Sequence, residues 1–386
     1  MPNGPAPGPL PLLLDHIESG LDVERGATLH VYQWKNYLSK NVLAGFVRAF
    51  ASADVHVRVE SFRHIDEAVA RINDPSADFD VVFPTIGVLR GLVNARLLLP
   101  LNHDYLPNIT NLWSWFRGDG PFFDPQLRYS TPYTVYSSGV GWRADLVAPN
   151  DAPDAKPDPF AIFWNTRYRG ELGMYDEYLE ALSLSLLHDG VIDLHAATDA
   201  QLERAADGLE RAVRDAGVRF TDDGAAEGLP QGRFVAHQAW SGDVLTPERY
   251  ARSDPDAYQA LQSLRYCAPR GRRLVVGCDL TAICAKARSP VLAHAFLNHL
   301  LAFDVAMDNF SWNGYQPPLD GVSPEAFADP TFRWHRAVPP HLLDAVLTPD
   351  AFANGQMLDA FAPSELAPWV EQWNRVALAR QTVISH

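Results

Sequence analysis

The chain is poor in cysteine, in basic charge and in long apolar runs. Its three cysteines, Cys267, Cys278 and Cys284, are odd in number, which excludes a fully paired intrachain disulfide framework. None forms a CxxC pair, and no histidines lie beside them at metal-ligand spacing, so no metal site is expected. They read as small buried apolar residues, with a disulfide between two of them left open. Lys and Arg number 32 against 47 Asp and Glu, a net charge of −15. That balance argues against a nucleic-acid partner, which calls for a basic patch. An acidic surface attracts cations, and it also simply keeps a protein soluble. No apolar run approaches the roughly 20 residues that span a bilayer. The first basic residue is Arg25, so the charged start of a signal peptide is missing. The expectation is a soluble, unanchored chain whose export signal, if it had one, has been removed.

Enzyme signatures are missing too. The sequence has no GxSxG elbow, no GxxxxGK[ST] loop, no HExxH and no GxGxxG opening a helix. The 13 histidines are scattered. Carboxylates are plentiful, but nothing places two of them at a catalytic separation. No catalytic residue and no cofactor is expected.

What is present is an α/β rhythm in 386 residues that are 47% hydrophobic, enough for a large core and more than one domain. Leu29–Trp34 is a strand candidate, and Ser39 caps a helix with an apolar stripe of Leu43, Phe46, Val47 and Phe50. Val55–Phe62 alternates as a half-buried strand. Ile65–Ile72 is a helix, Asp80–Pro84 a buried strand, and Ile86–Leu92 a helix. Strands alternating with helices predict βαβ units and a mostly parallel sheet. A β-rich stretch, Tyr129–Trp142, precedes a four-proline loop over 149–159. A second α/β region follows, with a helix over Asp199–Ala216 and strands over Arg233–Trp240 and Leu274–Ile283. Ser289–Phe303 is a helix with Pro290 in its first turn.

The stretch Val31-Tyr32-Gln33-Trp34-Lys35-Asn36-Tyr37-Leu38-Ser39 is a strand that turns into a helix. Open α/β sheets bind ligands beyond their strand ends. Trp34 and Tyr37 stand there, and ring faces suit a cation or an alkyl chain. Packing alone is the plainer reading of a single aromatic pair.

In VYQWKNY, DFDVVFPT, YSTPYTVYSSGVGW, GELGMYDEYLEAL, HQAWSGD and NGYQPPL, taken in order, the chain resembles the periplasmic spermidine/putrescine-binding proteins of bacterial ABC transporters. The resemblance runs from about Leu29 to the C-terminal helix. It implies an α/β, two-lobed, type II periplasmic-binding-protein-like fold, with the ligand cleft between lobes and crossing hinge segments. Residues 1–26 are then a leader or linker. Lobe 1 takes 27–136 plus 276–308, and lobe 2 takes 137–275 plus 309–386. The implied partners are a small cationic, polyamine-like solute and a membrane permease. The implied location is periplasmic or cell-surface, and the implied state is monomeric.

The resemblance also implies the ligand-binding residues. Trp34 and Tyr37 match an aromatic pair, Thr85 a ligand-touching hydroxyl, and Glu177 and Glu180 two acidic positions. Trp240 matches an aromatic wall, Asp279 an amine-holding acid and Gln356 a late polar contact. A solvated acidic first turn is the alternative for Glu177 and Glu180. Asp279 interrupts the apolar run of a buried strand, where an unpaired carboxylate is costly. Three positions depart from the family pattern. Lys35 stands where an uncharged residue is usual, and Gly277 and Gly87 stand where rings are usual. Lys35 either pairs with Glu177, Glu180 or Asp279, contacts an acidic group of a ligand, or points to solvent. Two further readings therefore stay open: a zwitterionic or other polar solute held through Lys35, and an enzyme or sensor on the same fold.

Overall fold

Alternating short strands and amphipathic helices build the architecture. The computed structural model describes residues 23–118, 123–221, 224–245, 261–358, 361 and 365–384. The strands are β1 (Thr28–Trp34), β2 (His56–Phe62), β3 (Val81–Val82), β4 (Ser130–Arg143), β5 (Leu172–Tyr175), β6 (Arg219–Thr221), β7 (Ala236–Trp240), β8 (Leu264–Cys267) and β9 (Val275–Ile283). The chain forms two compact units. Unit 1 runs up to Val135 and adds Cys278–Asn313 and Pro317–Val322. Unit 2 holds Tyr136–Gly277, Gly314–Gln316 and the chain from Ser323 onward. The polypeptide passes from one unit to the other inside β4 and again inside β9.

In unit 1, β1 pairs in parallel with β2 and with β3, and β3 pairs antiparallel with β9. Leu29, Val31, Val81 and Val82 are completely buried. Such buried apolar runs, rather than clean alternation, mark strands covered on both faces. Helix Lys40–Ala49 starts where the Ser39 hydroxyl accepts from the Val42 amide, and it buries Val42 and Phe46. Phe50, expected in its stripe, instead ends the helix as its C-cap. The helix expected over Ser289–Phe303 spans Pro290–Leu300 with Ser289 as its N-cap, and a further helix, Phe303–Asn313, follows at a bend of 73°. Residues 1–22 of the expected leader lie outside the described residues. Its last residues belong to the fold: Val23 is buried, and the Glu24 carboxylate accepts from the Val291 and Leu292 amides. A carboxylate there satisfies two orphan donors and complements the positive end of the helix.

In unit 2, β4 pairs antiparallel with both β7 and β8, and β5 lies parallel to β7 and β6. Helix Asp199–Ala216 begins in a capping box between Thr198 and Gln201. Its apolar face packs into a core of Phe163, Leu172, Met174, Leu182, Leu186, Leu209 and Trp369. The proline loop over 149–159 is a series of short 3₁₀ turns. All three cysteines are free, and burial pushes the Cys284 thiol up to about 12, so they behave as small core residues. Among the described residues no single helix is long and apolar enough to cross a membrane, and none of His, Cys, Asp or Glu cluster as metal ligands.

Candidate functional site

Each unit places a buried acid among aromatic and hydroxyl groups: Asp279 within β9 in unit 1, and Glu180 in the first turn of helix Tyr178–His188 in unit 2. In unit 1, β1 stops at Trp34, and Asn36 turns the chain in the left-handed region at φ 65°. Asn tolerates that conformation at low cost. The turn buries Tyr37, whose hydroxyl donates to Asp279 Oδ2 and lies 3.2 Å from Thr134 Oγ1. Asp279 is 5% exposed in the middle of β9, and its backbone bridges to Thr85. Thr85, Tyr37 and Asp279 are therefore one cluster, assembled from segments up to 242 residues apart in the chain.

The Tyr37 carbonyl anchors the turn. It accepts from Tyr133 Oη at 2.9 Å and from Asn309 Nδ2 and Asn313 Nδ2 at 3.0 Å each. Asn309 Oδ1 in turn accepts from the Ser39 amide at 2.9 Å. Helix Phe303–Asn313 thus holds the turn at its backbone and leaves the Tyr37 ring and hydroxyl to the site. Trp34 is half-buried against Phe62 at 4.5 Å between ring centres, and its buried indole N–H has no partner among the described residues. Lys35 is exposed, ties down only its amide (to Phe62 O at 2.9 Å), and makes no ion pair among the described residues. The expected pairing of Lys35 with Asp279 does not form. The reason is the turn: β1 has ended at Trp34, and Asn36 in the left-handed region swings Tyr37 inward onto Asp279 while Lys35 stays exposed.

In unit 2, β5 ends at Tyr175 and β7 at Trp240. Glu177 is the N-cap of helix Tyr178–His188, and its carboxylate accepts from the Glu180 amide at 3.1 Å. Glu180 is buried. Its Oε1 accepts from Ser138 Oγ and Trp240 Nε1, each at 2.9 Å, and its Oε2 from Gln238 Nε2 at 3.0 Å. Burial raises its pKa above the ordinary carboxylate range, its three neutral donors hold it back in part, and the nearby Asp243 charge adds to the rise. Asp243 accepts from Tyr175 Oη and, at 3.3 Å, the Trp240 amide on Oδ2, and from Tyr315 Oη at 2.9 Å on Oδ1. Burial, with the Asp243 charge next, pushes the Tyr175 hydroxyl far upward, so it is a permanent donor.

Rings complete this cluster. Trp240 stacks on Tyr175 at 4.1 Å, and Tyr136 stands edge-on to Trp240 at 6.0 Å and to Tyr315 at 6.1 Å. Two glycines make room. A Cβ on Gly277 would collide with the Tyr136 ring, and one on Gly242 would lie 2.6 Å from the Tyr315 ring. The ring missing at Gly277 is thus replaced by Tyr136, brought in from β4.

Gln356 has a different job from the ligand contact expected of it. Its Oε1 accepts from the Leu194 amide at 2.8 Å, and its Nε2 donates to Ile192 O at 2.7 Å and to Arg272 O. Its backbone extends the end of β9 at Val275. Every polar atom of the side chain is spent on backbone groups of unit 2. Gln356→Leu is expected to lower stability by about 1–3 kcal/mol, because it leaves polar backbone groups unpaired. Urea denaturation measures this. Solute affinity per folded molecule should stay within about threefold.

Sequence reading missed Asp243, Tyr175, Tyr315, Tyr136, Asn309 and Asn313. All but Asn309 sit inside the quoted segments HQAWSGD, GELGMYDEY, NGYQPPL and YSTPYTVYSSGVGW, so the signal was present. The two asparagines are spaced i, i+4 on one face of a helix, a pattern without a chemical signature.

The match to the family model of the bacterial extracellular solute-binding proteins covers residues 47–333, and the chain belongs to that family. It is 23% identical over 294 residues to the putrescine/agmatine-binding protein of Pseudomonas aeruginosa, covering 75% of this chain and 77% of that one. It is 23% identical over 308 residues to the spermidine/putrescine-binding periplasmic protein of Escherichia coli, covering 79% and 82%. Among solved structures, a putative spermidine/putrescine ABC transporter protein of Listeria monocytogenes superimposes with a TM-score of 0.72. It covers 92% of this chain and 99% of that one at 20% identity. The chain is a solute-binding component of the transport class, not an enzyme, with the two-lobed type II fold.

Proposed function

We propose that the protein captures a small polyamine-class cation outside the cytoplasmic membrane and delivers it to an ABC permease. The observation that carries this reading is Glu180. It is a buried carboxylate whose hydrogen-bond partners, Ser138, Trp240 and Gln238, are all neutral. A buried anion without a cation is costly, and an arriving ammonium group offsets that cost. Asp279 with Tyr37 in unit 1 is likewise a buried acid with a neutral donor, a setting that suits an ammonium group. Ring faces add roughly 0.5–2 kcal/mol per cation contact and cover a methylene chain. The relatives that bind putrescine, spermidine or agmatine support the same class.

Thermal shift and isothermal titration calorimetry against putrescine, cadaverine, spermidine and spermine test it. At least one should bind in the micromolar range or tighter. No stabilisation by any of them at millimolar concentration sinks the reading. The exposed Lys35 separates it from a zwitterionic solute. Lys35→Thr should change diamine affinity by less than about threefold, as exposed charges contribute little. A large loss of affinity would instead make Lys35 a carboxylate contact.

A further inference from the structure

We propose that the unit 2 cluster accepts a compact ammonium head and rejects a forked guanidinium, because its carboxylates are already occupied by neutral donors. The inference rests on the reading of Glu180 as a cation-binding acid. An ionised carboxylate offers about four acceptor positions, two per oxygen, and a guanidinium fork needs one open on each oxygen. Both positions on Glu180 Oε1 are filled, by Ser138 and Trp240, and one on Oε2 is filled by Gln238. Among the described residues one position remains, and it is on Oε2. Asp243 Oδ2 is likewise filled, by Tyr175 and the Trp240 amide, while Tyr315 takes Oδ1. Neither acid presents a free pair of oxygens. A single N–H of an ammonium needs only one position, and its charge has no preferred plane.

Ring geometry points the same way. A guanidinium is flat and prefers to lie parallel to an aromatic face. Tyr136 meets Trp240 at 61° and Tyr315 at 85°, which shapes a corner rather than a slot. The parallel pair Tyr175–Trp240 is closed on itself at 4.1 Å. A corner of ring faces suits a rounded cation.

Calorimetry on the full chain with putrescine and with 1,4-diguanidinobutane, which has no ammonium group, tests the proposal. The diguanidine should bind at least about 100-fold more weakly than putrescine. Ser138→Ala opens the second position on Oε1 and is expected to shift the diguanidine-to-putrescine affinity ratio at least about tenfold toward the diguanidine. The ratio is read on one folded sample, so a general loss of stability does not move it. Gln238→Met is a second variant, which should leave the ratio against the diguanidine because Oε1 stays filled. If putrescine and its polyamine relatives fail to bind wild type, the functional reading falls. If putrescine binds and the diguanidine binds within tenfold of it, this inference alone falls. It falls equally if wild type discriminates but Ser138→Ala leaves the ratio within threefold.

Discussion

Glu180→Gln is expected to weaken solute binding by about 2–5 kcal/mol, roughly 30- to several thousand-fold. Gln keeps the shape, and its carbonyl oxygen still accepts, but the negative charge facing the ammonium is gone. The ligand-free protein should respond in the opposite sense. Burial raises the Glu180 pKa above its unfolded value. Between the two values the folded state holds more protons than the unfolded one. Stability therefore falls as pH rises through that window and stays lower above it. The variant has no such slope. Urea titrations of ligand-free protein at about pH 5 and pH 8 should show wild type losing more stability than the variant. Affinity runs the other way, since an ammonium binds the ionised acid. Wild-type affinity should rise with pH through the same window, and the variant's should be flat. A variant that binds as wild type does, or that keeps the wild-type pH slope, would remove Glu180 from the site.

Asp279→Asn should produce a loss of similar size, about 2–5 kcal/mol in affinity. Asp279 lies in a strand whose nine residues are all buried, so the polypeptide gives up apolar burial to place an acid there. Tyr37 donates to it, and a neutral amide can still accept that bond, so the turn at Tyr37 should survive. Tyr37→Phe separates the two contributions. It keeps the ring and removes the donor, and it should cost only about 1 kcal/mol. Calorimetry, with near-ultraviolet circular dichroism as the check on folding, reads both. Equal losses in the two variants would mean that Asp279 acts through Tyr37 and not through its charge.

Much of this was legible in the chain because it depends on local periodicity and on residue types with few uses. The strand over Leu29–Trp34, the helix over Asp199–Ala216 and the buried strand ending at Ile283 all emerge from spacing, since burial on one or two faces imposes it. Asp279 was legible for the same reason: a charge inside an apolar run has to be used. Helix Phe303–Asn313, beyond the bend, was not, because Asp304, Asp308, Asn309, Ser311 and Asn313 leave it only a short apolar stripe of Ala306, Met307 and Phe310. Nor was the anchoring of Glu24, which depends on a helix 267 residues away.

By itself the sequence determined the α/β class, the acids and rings available, and the net acidic charge. These follow from composition and from repeats of two or three to four residues along the chain. Only the tertiary structure decided which groups meet. It spent Gln356 on backbone, left Lys35 in solvent, filled three acceptor positions of Glu180 with Ser138, Trp240 and Gln238, and set Tyr136 against Gly277. Those contacts join segments from 42 to 164 residues apart. Side-chain direction and the filling of lone pairs are settled by packing across such distances, and local spacing carries no record of them.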